Sequence, residues 1–465
     1  MSDVIHLTDN CNGHFFKEEN TLQDVIRIAD IGCLQNAPNL LVFPHSFKEH
    51  NDGIENLSIL TIKDTKYDDG KCIALKACTG NLMGFVGVND TFLSIHSRFT
   101  HKRQNGEVDE NGQDYFLYYM LAKALSINVF SLEHSSNQDD RILDFLLFLF
   151  PSMLKNALSQ GLYKEYQTRY YDDSRVRGTI DVNRFIQKDV PFKGRVSHHT
   201  REHCYDNSVT QLIRHTIEYI KRHPFGAAIL QNDLETVECV SQIMQATSSY
   251  NQRNREKVLN ANIKPKIHPY YLKYRDLQQL CVNILRHESL KYGQGEDKVN
   301  GVLFDGAWLW EEYLDTVLRQ EGFRHPRNKE SKGGIRMFAK PDVEDLFDNN
   351  SRRMYPDFYR KDDYILDAKY KHLNGTVGRE DLYQVVSYMY CMKAPFGGYV
   401  YPAEVENTVA KYKLAGIGET YKDISGGILS VIPFKVPQEA KDWGEFLETI
   451  KESEESLRET VNAHY

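Results

Sequence analysis

Residues 354–371 read MYPDFYRKDDYILDAKYK. The charged cluster Arg360, Lys361, Asp362 and Asp363 sits between two aromatic and aliphatic runs, which predicts strand, turn and strand. Nine residues separate Asp357 from Asp367. In a hairpin of that length the two carboxylates approach each other across the strands. The period of two along a strand then puts Asp367 and Lys369 on one face. Two carboxylates and one amine converge.

That set suits metal-assisted phosphodiester cleavage. Hard carboxylate oxygens hold Mg2+, which retains several waters, polarises a phosphoryl oxygen and lowers the pKa of a bound water. A neighbouring lysine orients that water or stabilises developing charge. Upstream, AWLWEEYLDTVLRQ (307–320) reads as a helix, with Trp310, Tyr313, Leu314 and Val317 at i, i+3, i+4 and i+7. Its Glu311 is placed to add a further carboxylate. A strand-like run, GIRMFAKPDV (334–343), lies between helix and hairpin; a helix, EDLYQVVSYMYCM (380–392), and a strand, GGYVYP (397–402), follow. This order predicts a compact α/β unit.

Further out the grammar changes. Residues 1–110 contain short alternating segments (LLVF, LSILTI, CIALKA, GFVGV, FLSIHSRF) separated by Asn, Asp and Gly, which predicts a β-rich module. Residues 111–300 are mostly helical in pattern, interrupted by a basic, β-like insert from Tyr170 to Val196. Residues 301–435 hold the α/β unit, and 436–465 an acidic amphipathic helix: Glu439 to Glu459 has 8 acidic and 3 basic residues. The expected fold class is therefore α+β and multidomain.

The chain has 465 residues and a formal net charge of −8, so bulk charge does not hold it on a polyanion. Any nucleic-acid contact must be local. From Lys164 to Arg222 there are 12 Lys and Arg against 8 Asp and Glu, with Tyr170, Tyr171, Phe185 and Phe192 interleaved. Arg175, Arg177, Arg184, Lys193 and Arg195 are the candidate DNA-contacting residues there.

Several classes are disfavoured. The N-terminus lacks the marks of a secretory signal, and the longest apolar stretch, Ile142 to Phe150, is far short of the roughly 20 residues needed to cross a bilayer. The 8 Cys are scattered without a CxxC, so a reducing, cytoplasmic compartment is expected. No G-x-x-x-x-G-K-[ST] or G-x-S-x-G occurs, so the chain is neither its own NTPase motor nor a serine hydrolase of the elbow type. HTREH (199–203) offers two His at i and i+4 on an expected helix, but lacks the Glu that H-E-x-x-H requires.

The order helix-Glu, PD, DxK and QxxxY resembles the PD-(D/E)xK nuclease superfamily. The segments LWEEYL, YPDFY, YILDAKYK, DLYQVVSYMY and GGYVYP are similar to the McrC family, the nuclease subunit of McrBC-type restriction systems. VRGTIDVNRFI and GRVSHHTREHCYDNSVTQLI resemble the region preceding the nuclease domain in that family, so the likeness spans about 165–402. It implies a C-terminal restriction-endonuclease-like domain with Asp357 and Asp367 as Mg2+ ligands, Lys369 as the catalytic lysine and Glu311, rather than Glu312, as the helix carboxylate. Gln384 and Tyr388 match the following helix, in a supporting role toward DNA or the lysine. A second P-D, at Pro341 and Asp342, offers an alternative first-strand acid; the hairpin spacing favours Asp357. The resemblance further implies double-stranded DNA as substrate, an McrB-like AAA+ GTPase as partner, and the N-terminal module as its docking region. The alternatives are a non-catalytic GTPase activator and a stand-alone RecB-like repair nuclease.

Overall fold

A computed structural model describes residues 4–17, 19–30, 40–44, 59–68, 71–88, 91–100, 114–125, 138–224, 226–231, 233–290, 300–326, 334–338, 353–373, 377–404, 408–414 and 427–463. They form two compact units, 1–139 with 295–465, and 140–294. Both mix helices and sheets.

The N-terminal part of the first unit contains β1 (Val4–Thr8), β2 (His14–Phe16), α1 (Glu19–Asp30), β3 (Leu40–Phe43), β4 (Leu60–Asp68), β5 (Lys71–Thr79), β6 (Leu82–Val88), β7 (Thr91–His96) and α2 (Tyr115–Leu125). The strand-rich reading of 1–110 did not include α1, whose Leu22, Val25 and Ile28 sit in the same apolar cluster as Leu40 and Val42 of β3. α3 (Gln138–Leu158) leads into the second unit, which continues with β8 (Glu165–Asp173), β9 (Thr179–Ile180), α4 (Val182–Asp189), β10 (Val196–Cys204), α5 (Ser208–Ile220), α6 (Gly226–Leu230), α7 (Leu234–Ala246), α8 (Arg255–Ala261) and α9 (Tyr274–Leu290). The chain then returns to the first unit with β11 (Asn300–Asp305), α10 (Gly306–Leu318), β12 (Ile335–Arg336), β13 (Arg353–Met354), β14 (Phe358–Arg360), β15 (Tyr364–Ala368), α11 (Arg379–Met392), β16 (Phe396–Ala403), β17 (Ala410–Lys413), β18 (Ile428–Lys435) and α12 (Trp443–Asn462).

β11 decides how the first unit is assembled. It lies between β6 and β3 in a sheet ordered β1-β7-β6-β11-β3. Residues 1–110 and the segment after 300 therefore share a sheet, which differs from the four consecutive modules suggested by the sequence grammar. Two glycines permit the pairing. A Cβ on Gly84 would stand 2.2 Å from the Val302 carbonyl oxygen, and one on Gly301 would stand 2.1 Å from that of Phe85. Both have positive φ, +129° and +156°, which glycine tolerates and other residues do not.

The second sheet that matters is ordered β14-β15-β16-β18-β17. β14 and β15 are antiparallel, while β15 and β16 are parallel, so the connection between the latter must cross the sheet; α11 makes that crossing. Val385 and Met389 of α11 pack on Ile365, Tyr399 and Leu429. α10 begins directly after β11 because Asp305 caps it, Oδ1 accepting from the Trp308 amide at 2.6 Å. α12 is the amphipathic helix expected, burying Trp443, Phe446, Ile450, Leu457 and Val461.

The second unit combines helices with a three-stranded sheet ordered β8-β10-β9. Its HTREH segment is not helical. It lies in β10, where His199 pairs with Tyr170 and His203 with Tyr166 of β8, so alternation rather than a helical turn puts the two His on one face. No described helix is long and apolar enough to cross a membrane.

Candidate active site

The β14–β15 register pairs Phe358 with Leu366 and Tyr359 with Ile365. One step further, Asp357 stands opposite Asp367. Its Oδ2 accepts a hydrogen bond from the Ala368 amide at 2.9 Å, which ties the first acid to the backbone just after the second. Asp367 is 3% exposed on a strand buried along its whole length. Burial raises its pKa, and the adjacent Lys369 ammonium opposes that shift.

Lys369 Nζ lies 2.7 Å from Asp367 Oδ2 and 3.1 Å from Asp381 Oδ1. Burial works against its charge, but the two carboxylates outweigh that and raise its pKa. Asp381, in the first turn of α11, takes Lys371 on its other oxygen at 2.7 Å. Burial would raise its pKa; Lys371 and Lys369 win and hold it below the ordinary carboxylate range. The D-x-K alternation thus extends to Lys371, and one helix carboxylate receives both amines.

Glu311 and Glu312 are both buried on α10. Glu312 Oε1 stands 3.5 Å from His325 Nε2, and His325 Nδ1 donates to the Asp357 carbonyl oxygen at 2.7 Å. The imidazole also stacks on Phe358, centroids 4.8 Å apart. Burial lowers its pKa, while Glu312 and the Asp357 carbonyl more than compensate, leaving it raised. His325 thereby links the helix carrying the glutamates to the strand end carrying Asp357.

Gln384 and Tyr388 brace the same hairpin from α11. Gln384 Nε2 donates to Tyr388 Oη at 3.0 Å, and the Tyr355 amide, two residues before Asp357, donates to that hydroxyl at 3.3 Å. Asp342 lies outside the described residues. Arg175, Arg177, Arg184, Lys193 and Arg195 belong to the second unit; all but Arg184 are exposed, and the Arg184 and Arg177 guanidinium groups sit over Tyr170 and Tyr171 at 4.8 and 5.7 Å.

His325 and Asp381 were not singled out from the sequence. Asp381, Gln384 and Tyr388 fall at i, i+3 and i+7, a spacing that signals one helix face. His325 has no comparable signal, since it reaches Asp357 across a sequence separation of 32.

Among the described residues, no group of three or more His, Cys, Asp or Glu is gathered tightly enough to hold a metal ion. Asp357 and Asp367 still fit Mg2+ by donor chemistry, because that ion takes one or two carboxylates and keeps water in its other positions.

No curated protein matches the sequence. Among solved structures, a half-complex from the tetradecameric assembly of Thermococcus gammatolerans McrB AAA+ hexamers with bound McrC matches with a TM-score of 0.48 and 14% identity, over 98% of this chain and 100% of that one. The Thermococcus gammatolerans McrBC complex matches with a TM-score of 0.32 and 14% identity, over 68% of this chain and 88% of that one. The family model described as "McrBC 5-methylcytosine restriction system component" matches residues 77–402, and the chain belongs to that family.

Proposed function

We propose that this restriction-system component is its nuclease subunit, a Mg2+-dependent endonuclease with a PD-(D/E)xK active site acting on double-stranded DNA. The observation that carries the reading is the opposition of Asp357 and Asp367 across the hairpin with Lys369 ion-paired to the buried acid. Asp357 and Asp367 would hold the metal, with Glu311 contributing from α10. Bound Mg2+ supplies Lewis-acid polarisation of the scissile phosphate and an acidified water. Lys369 donates hydrogen bonds to that water or to a phosphate oxygen, and its charge offsets the negative charge that builds up there. Gln384 and Tyr388 keep the approach to Asp357 in place, and Arg175, Arg177, Arg184, Lys193 and Arg195 contact DNA phosphates.

The partner in this reading is an McrB-like AAA+ GTPase, docked on the N-terminal region in the cytoplasm. Family membership supports it, as does the missing P-loop, which leaves nucleotide hydrolysis to another chain. The test is plasmid cleavage with Mg2+ by the wild type and by Asp367→Ala, each with and without GTP and the AAA+ partner. Cleavage by the wild type alone, requiring partner and GTP, is expected. Cleavage without either would instead mark a stand-alone nuclease. No cleavage, with GTP hydrolysis still stimulated, would mark a non-catalytic activator.

A further inference from the structure

Lys369 is shared between two carboxylates of unlike surroundings. Asp367 is buried and, lacking hydration, depends on the ammonium at 2.7 Å; Asp381 is partly solvated and has Lys371 besides. Asp381 is also held firmly. The Tyr399 hydroxyl donates to its carbonyl oxygen at 2.6 Å, and Tyr399, fully buried on β16, pairs in register with Asp367. One tyrosine thus fixes the spacing between the two acids that flank the lysine.

Resting on the nuclease reading above, we propose that Asp381 is the positioning residue of the active-site lysine. It gives the Lys369 ammonium a second counter-charge, so that a divalent cation can take the Asp367 oxygen while the lysine stays beside it. Without Asp381 the ammonium has only Asp367, and competes with the cation for the same oxygen. The residue acts through Lys369, not on the metal.

Mg2+ binding measured by calorimetry on the full chain, without DNA, tests this separately from cleavage. Asp381→Asn is expected to weaken Mg2+ binding by about tenfold or more, within the range seen when groups supporting a metal ligand are removed. It should also lower kcat with KM for DNA unchanged, and Asp381→Glu should restore most of both. In a Lys369→Met background, where the competing ammonium is gone, adding Asp381→Asn should leave Mg2+ affinity unchanged. Asp381→Ser, which keeps a polar side chain in the first helical turn, replaces the Asn variant should that one not fold. Wild-type affinity and kcat in Asp381→Asn would overturn the proposal, as would an undiminished loss of affinity in the Lys369→Met background. Failure of the nuclease reading itself is distinguishable: the wild type would then bind no Mg2+, or Asp367→Ala would cut as well as the wild type.

Discussion

The hydroxyl of Tyr370, the residue after Lys369, lies 2.7 Å from Ser97 Oγ at the end of β7. Arg98 sits over the same ring at 4.9 Å while its guanidinium is ion-paired with the buried Asp9. The segment directly after β15, which carries the candidate lysine, is therefore anchored beside the N-terminal sheet across a sequence gap of 273 positions. Tyr370→Phe keeps the ring and removes the hydroxyl, so it should cost about 1 kcal/mol in denaturant unfolding and leave cleavage intact. Tyr370→Ala removes the anchor, and should cost about 3–5 kcal/mol and abolish cleavage through displacement of Lys369.

Asp357→Ala, Asp367→Ala and Lys369→Ala each remove one member of the converging set. Each should lower Mg2+-dependent DNA cleavage by about two orders of magnitude or more, with the far-ultraviolet circular dichroism spectrum and partner binding preserved. A variant cutting at the wild-type rate would take its residue out of the mechanism.

Gly301 tests the assembly of the first unit. A methyl group at this position meets the Phe85 carbonyl, on a backbone whose φ of +156° already disfavours it. Gly301→Ala should destabilise the protein by about 1–3 kcal/mol or prevent soluble expression. An unchanged unfolding midpoint would show that β11 is not held between β6 and β3 in solution.

His215 in the second unit gives a pH signature away from the site. It is buried against Tyr250, centroids 4.8 Å apart; burial, with Arg255 and Arg214 nearby, pushes its pKa down to about 4. The unfolded chain takes up this proton near pH 6.5 and the folded one does not. Its contribution to stability is thus complete above pH 6.5 and is lost as the pH falls toward 4. Chemical denaturation of the wild type should show an acid-side decline on the order of 1–3 kcal/mol that His215→Phe flattens.

What depends on local periodicity is legible in the amino-acid order: the β14–β15 hairpin, the placement of Asp367 and Lys369 on one face, the helices bearing Glu311 and Gln384, and the amphipathic end helix. Charge clusters in turns and apolar spacing of two or 3.6 residues are short-range properties, readable without the rest of the chain. The family resemblance rested on the same segments. Tertiary structure alone decided that β11 enters the N-terminal sheet, that His325 bridges Glu312 and Asp357, and that Lys369 is divided between Asp367 and Asp381. It also made HTREH a strand, because β8 offered a partner edge that a single-segment reading cannot see. These contacts join residues distant in sequence, and their formation depends on how whole elements bury their apolar faces together, which no local pattern records.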